Sequence, residues 1–96
     1  KDVALDPHNI ALNGVIDTQP CPRMSERSWL VRSVGWGHDE LEWKRIISAL
    51  RLAGYDYVMS IEHEDALASV DEGLGAAVDM LSRVMLSEPP VKAWWT

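Results

Sequence analysis

The sequence predicts an α/β arrangement, and three observations carry that reading. Two segments repeat apolar residues with helical spacing. A nearly continuous apolar run lies between them. Capping residues and glycine mark the junctions. The predicted order is a long irregular segment, a helix, a strand and a second helix.

The irregular segment covers residues 3–34. Pro7, Asn9, Asn13-Gly14, Asp17, Pro20 and Pro22 interrupt it every few positions, and Asn-Gly is a turn pair. Ile10-Ala11-Leu12, Val15-Ile16 and Trp29-Leu30-Val31 are short apolar runs between the turns. A connection this long inside a domain is uncommon and often functional; a surface excursion is the alternative.

Residues 39–53 are predicted as a helix. Asp39 and Glu42 have capping-box spacing. Trp43, Ile46, Ile47, Leu50 and Ala53 line one face, Lys44, Arg45 and Arg51 take the other, and Gly54 suits the closing left-handed position. Residues 55–62 are predicted as a strand, because Tyr57-Val58-Met59 followed by Ile61 suits a strand covered on both faces, as in parallel sheets. Residues 70–86 form the second predicted helix. It opens on Ser69 and Glu72, and its stripe is Leu74, Ala77, Val78, Leu81, Val84 and Met85. Pro89-Pro90 ends it. In the tail, Trp94-Trp95 is expected to dock on the parent fold rather than bind a ligand. A single parallel-type strand leaves its backbone donors and acceptors without partners, so further strands are expected from elsewhere.

The chain has 96 residues, enough for one domain, with 47% hydrophobic and 25% charged residues, 5 Trp and no Phe. Its net charge of −6 argues against a nucleic-acid binder, which needs a basic footprint. Cys21 is the one cysteine and makes no internal disulfide, which favours a reducing, cytoplasmic setting. No apolar stretch reaches the roughly 18 residues of a membrane span. The chain opens on Lys1-Asp2 without Met, without a signal pattern, and is expected to be a fragment or a processed chain.

Two clusters carry candidate chemistry. In Ser60-Ile61-Glu62-His63-Glu64-Asp65, at the end of the predicted strand, alternation places Glu62 and Glu64 on one side and His63 and Asp65 on the other. Strand C-termini are where parallel α/β folds hold catalysis, and carboxylate and imidazole suit Mg²⁺, Mn²⁺, Co²⁺ or Zn²⁺. Glu62 is the residue aimed into the site. A polar loop entering the next helix is the alternative. The second cluster is Arg32-Ser33-Val34-Gly35-Trp36-Gly37-His38-Asp39-Glu40. Its glycines allow close backbone approach just before a helix N-terminus, and Arg32 is suited to an anion or to sugar hydroxyls. A lone Gly-x-Gly is a weak signal, a tight turn feeding a capped helix is the favoured alternative, and no strand leads convincingly into it. Cys21, between prolines and without a nearby base, is not expected to be a nucleophile. His8 reads as a loop histidine.

Val34-Gly35-Trp36-Gly37-His38-Asp39-Glu40, Gly54-Tyr55-Asp56-Tyr57-Val58 and Ser60-Ile61-Glu62-His63-Glu64-Asp65 together resemble the last third of sugar phosphate isomerases/epimerases of the xylose isomerase-like superfamily. Lys1-Asp2 resembles the end of that group's His-x-His-x-Lys-Asp pattern, and Asn9 to Asp17 an insertion that follows it in one subgroup. The resemblance implies a C-terminal fragment of a (β/α)₈ TIM barrel, since a whole barrel takes about 250 residues. Residues 1–38 would be the end of strand 7 and its loop, 39–54 helix 7, 55–62 strand 8, 69–87 helix 8 and 88–96 the tail. It also implies a divalent metal (Mn, Mg, Co or Zn) with Glu62 as one ligand and the others upstream. Glu62 would be catalytic, and Lys1 and Arg32, with His38 and His63 behind them, would bind substrate.

The implied reaction is proton abstraction next to the carbonyl of a sugar or sugar phosphate. The fragment alone is expected to be inactive, with the missing barrel portion or a homo-oligomer as partner. A non-catalytic partial-barrel module that self-associates or completes another chain is the competing reading. An apurinic-site endonuclease is disfavoured by the acidic charge.

Overall fold

A computed structural model describes residues 1–16 and 19–95. Asp17, read above as a turn residue, and Thr96 at the end of the tail lie outside the described residues.

The chain begins with a hairpin. Strand β1, Asp2–Leu5, pairs antiparallel with strand β2, Trp29–Arg32, in the register Asp2↔Arg32, Val3↔Val31, Ala4↔Leu30 and Leu5↔Trp29. Between them lies the short helix α1, Pro7–Asn13. Asp6 caps it by accepting from the Asn9 amide at 3.0 Å, Pro7 supplies a preset φ at its first turn, and Gly14 closes it at φ +78°. Buried Asn9 donates from Nδ2 to the carbonyls of Ser25 and Arg27, both at 2.9 Å. Buried Ser28 donates to the Gly14 carbonyl at 2.7 Å. The segment expected to be irregular is therefore tied down at both ends, and its Asp6-Pro7 start signal was present in the sequence.

Helix α2, Glu40–Leu52, and helix α3, Val70–Val84, make the second layer. Both arms of the α2 capping box are closed: the Glu42 amide donates to Asp39 at 2.8 Å, and the Asp39 amide donates to Glu42 at 3.2 Å. Ser69 caps α3 by accepting from the Glu72 amide at 3.1 Å. The core lies between these helices and holds Val34, Trp43, Ile47, Ala77, Leu81 and Val84, with Leu50, Met59, Ile61 and Met80 against it. The buried line of α3 is Gly73, Ala77, Leu81 and Val84, so Val78 and Met85 of the predicted stripe remain exposed.

The barrel-fragment expectation is overturned. The described residues form three α-helices and a two-stranded antiparallel sheet, not part of a (β/α)₈ barrel. Residues 55–62, expected to be a strand, run without a ladder partner. Met59 and Ile61 turn toward the core, while Tyr57 and Val58 face outward. The reason is physical: a strand exists only through hydrogen bonds to a neighbour, and the two segments that find each other are Asp2–Leu5 and Trp29–Arg32. Trp94 and Trp95 do not dock here either. They meet edge-on at 5.5 Å, and both are exposed.

The shape is flat and elongated, 53 × 31 × 18 Å, with a radius of gyration of 16.4 Å. A domain of this length is expected near about 13 Å. The accessible surface is 7259 Å², against roughly 5,500 Å² for a folded monomer of this mass. Among the described residues, no helix is long and apolar enough to cross a membrane.

Candidate functional site

The two clusters read from the sequence meet where β1 starts and β2 ends. Strand β2 leads directly into the glycine-rich segment, contrary to the expectation that no strand does so. Three linked arrangements form there.

The first is a carboxylate–ammonium cluster. Lys1 Nζ lies 3.1 Å from Glu62 Oε2 and closer still to Glu64 Oε2. The pairing joins residues more than sixty positions apart. Hydrogen bonds to Glu64 and then Glu62 raise the Lys1 pKa, and the Lys1 hydrogen bond lowers that of Glu64. All three side chains are open to solvent, Glu62 at 72%, so the cluster adds little to stability.

The second arrangement is centred on Asp65, whose side chain is fully enclosed. It accepts from the Ser33 amide at 2.8 Å, the Ser33 hydroxyl at 2.9 Å, the Leu67 amide at 2.9 Å and Arg32 Nε at 3.1 Å. Burial alone would push this carboxyl up, but the hydrogen bonds from Ser33, Leu67 and Arg32 outweigh it and hold the pKa at about 2. Arg32 is thereby oriented, and its guanidinium carbon sits 5.6 Å from the centre of the Trp36 ring. His63 lies half-buried next to this arrangement. A Cβ at Gly73 would come within 2.4 Å of the His63 ring and 2.7 Å of the Ser33 hydroxyl, so only glycine lets α3 approach so closely. His63 Nδ1 is enclosed without a hydrogen-bond partner among the described residues.

The third arrangement is a backbone nest around Asp2. Its Oδ2 accepts from the amides of Gly35 at 3.1 Å, Gly37 at 3.1 Å and His38 at 2.9 Å, and from Trp43 Nε1 at 3.1 Å. His38 Nδ1 lies 2.5 Å from Oδ1. Burial acts to raise the Asp2 pKa, but the bonds from His38, Trp43 and Val3 prevail and bring it to about 2. The Asp2 hydrogen bond in turn raises the pKa of His38. A Cβ on Gly37 would come 2.2 Å from the Val3 carbonyl oxygen. The Gly-x-Gly spacing thus serves an internal carboxylate rather than an external anion.

All five residues proposed for the site therefore have defined places. Lys1 and Glu62 are in direct contact. Arg32 and His63 flank Ser33, and His38 sits on Asp2. The alternation of Glu62 and Glu64 against His63 and Asp65 is kept. Sequence reasoning missed the central role of Asp2 and Asp65, because a buried carboxylate looks like any surface one in sequence. Cys21 is exposed and makes no disulfide.

Of the ligands to the divalent metal implied by the resemblance, only Glu62 falls on this chain, the others lying upstream. Among the described residues no group of three or more His, Cys, Asp or Glu gathers to hold one, and the Glu62 carboxylate already has an ammonium beside it. Structural and catalytic metal sites take at least three protein or water ligands.

No protein-family model matches the chain, and no solved structure matches it. Over 85 residues, 88% of its length, the chain is 31% identical to YfiH of Bacillus subtilis (strain 168), a protein described as uncharacterized. It spans only 27% of that relative, so what it is similar to is a limited part of a much longer protein.

Proposed function

We propose that this chain is part of a sugar or sugar phosphate isomerase/epimerase that abstracts a proton next to a carbonyl. The observation that supports this reading best is the Lys1–Glu62–Glu64 cluster beside Arg32. The sequence resemblance to the xylose isomerase-like superfamily points the same way. Glu62 takes the proton from the carbon next to the carbonyl, whose oxygen becomes negative as the enediolate forms. The Lys1 ammonium stabilises that oxygen. For isomerisation Glu62 returns the proton to the former carbonyl carbon while the neighbouring hydroxyl proton passes to the enediolate oxygen; for epimerisation a second acid, from outside this chain, protonates the same carbon on its opposite face. Arg32 grips hydroxyls or a phosphate, with His38 and His63 behind it. No step is assigned to a metal.

Exchange of deuterium from D₂O into D-fructose 6-phosphate and D-tagatose, followed by proton NMR, tests the reading. It is run on the 96-residue chain and on the Bacillus subtilis relative carrying this segment in place of its own. The chain alone is expected to be inactive and the composite protein active. Glu62→Gln is expected to lower exchange by about 10²–10⁴-fold. Undiminished exchange in Glu62→Gln, or no exchange in the composite, rejects the reading.

A separate observation favours a second reading, a module that associates with itself. The surface excess over a folded monomer is roughly 1,700 Å², and a standard interface takes about 800 Å² from each partner. A cleft of about 640 Å³ at the C-terminal ends of α2 and α3 is lined by Ile47, Tyr55, Tyr57, Met59 and Leu86. Tyr57 is 78% exposed beside it, in a run free of ladder partners. Light scattering on a sizing column is expected to give the mass of two copies at tens of micromolar, dispersed by Val58→Lys. A single 10.8 kDa species at every concentration rejects this reading.

A further inference from the structure

We infer that Trp36 is a stacking platform for the apolar face of a sugar, presented beside Arg32; this rests on the sugar-directed reading above. Trp36 is 63% exposed, whereas Trp43, seven residues later, is in the core. An indole left in water forgoes hydrophobic stabilisation, and the contact recorded for its ring is the Arg32 guanidinium.

The backbone that carries it is nonetheless heavily constrained. The Trp36 amide donates to the Ser33 carbonyl at 3.0 Å, closing a tight turn. Gly35 holds φ +96°, a left-handed value that suits glycine. The Asp2 carboxylate gathers the amides on both sides of Trp36, those of Gly35 and Gly37. Gly37 also admits no side chain against the Val3 carbonyl. Two glycines and a buried carboxylate thus fix the position of a residue whose own side chain faces solvent.

The ring's surroundings give it a ligand chemistry. The Arg32 guanidinium lies over it at 5.6 Å and is itself held by Asp65. Across the hairpin, Lys1 directly precedes Asp2, the residue opposite Arg32. Lys1 carries Glu62 and Glu64 with it. A polyhydroxylated ring has slightly positive C–H bonds on one face and hydroxyls around its rim. The negative face of an indole suits the first, and a guanidinium suits the second. A purely anionic ligand would have no use for the indole.

The test is an ¹H–¹⁵N NMR titration of the 96-residue chain with D-fructose 6-phosphate, D-fructose and inorganic phosphate. The Trp36 indole N–H signal is assigned through Trp36→Phe, and the Trp43 signal reports that each variant stays folded. Both sugars are expected to shift the Trp36 signal and phosphate alone to leave it in place. Trp36→Ala is expected to weaken sugar binding at least about 10-fold and Trp36→Phe to restore most of it. Equal shifts with phosphate alone overturn the platform. So does sugar binding that moves Lys1, Arg32 and Glu62 and survives Trp36→Ala, although the sugar-directed reading then stands. Absence of any response to either sugar overturns both.

Discussion

Asp65→Asn is expected to destabilise the fold by about 3–5 kcal/mol, as removal of one partner from a buried charge pair does. The substitution keeps the shape and removes the charge. It leaves Arg32 without its carboxylate and turns an amide NH₂ toward donors from Ser33 and Leu67. Total stability of a small domain is only about 5–15 kcal/mol, and among the described residues the buried apolar core is six residues. Urea unfolding followed by circular dichroism measures the loss, and a change below about 1 kcal/mol contradicts the arrangement. Acid gives a second reading of the same site. The folded-state pKa of Asp65 is depressed from 3.8 to about 2. Its contribution is therefore complete above pH 3.8 and is lost as pH falls toward 2. Wild-type protein is expected to lose stability through that window, and Asp65→Asn to lose less.

Asp2→Asn is expected to cost about 3 kcal/mol and to loosen the Gly35–His38 segment. One carboxylate there satisfies three backbone amides, the Trp43 indole and the His38 ring. It ties β1 to the entrance of α2 and holds the glycine turn through the Gly35, Gly37 and His38 amides. Hydrogen exchange should show the Gly35, Gly37 and His38 amides losing protection first; unchanged protection contradicts the nest. This site also has an alkaline side. His38 has a folded pKa raised above 6.5 by Asp2. Its contribution is fully present below pH 6.5 and disappears as pH rises through the folded value. Asp2 itself, depressed to about 2, contributes above 3.8. The charged pair is thus complete between about pH 4 and 6.5. The fall in urea midpoint above that window is expected in wild type and absent in His38→Gln.

The two mutants also separate stability from the proposed chemistry. Asp65 and Asp2 act on Arg32 and on the glycine turn, while Glu62 is exposed and paired with Lys1. Glu62→Gln should leave the urea midpoint nearly unchanged.

By itself, the sequence determined the helices α2 and α3 and their starts. Asp39 with Glu42, and Ser69 before Val70, are signals that act within four residues. A helix closes its hydrogen bonds at the same short range. It determined also that Glu62 and Glu64 face one way and Asp65 the other, because alternation is a property of any extended chain. Tertiary structure alone decided which extended segments became strands. Tyr57-Val58-Met59-Ser60-Ile61 has the stronger strand composition, yet the ladder forms between Asp2–Leu5 and Trp29–Arg32. Ladder bonds join residues far apart in sequence, and no local pattern states who the neighbour is. The same distance hid the site's frame. That Asp2 would collect donors from residues 35–43, and Asp65 from residues 32–33, depends on burial, which changes a carboxylate from a solvated surface group into the hub of a hydrogen-bond network.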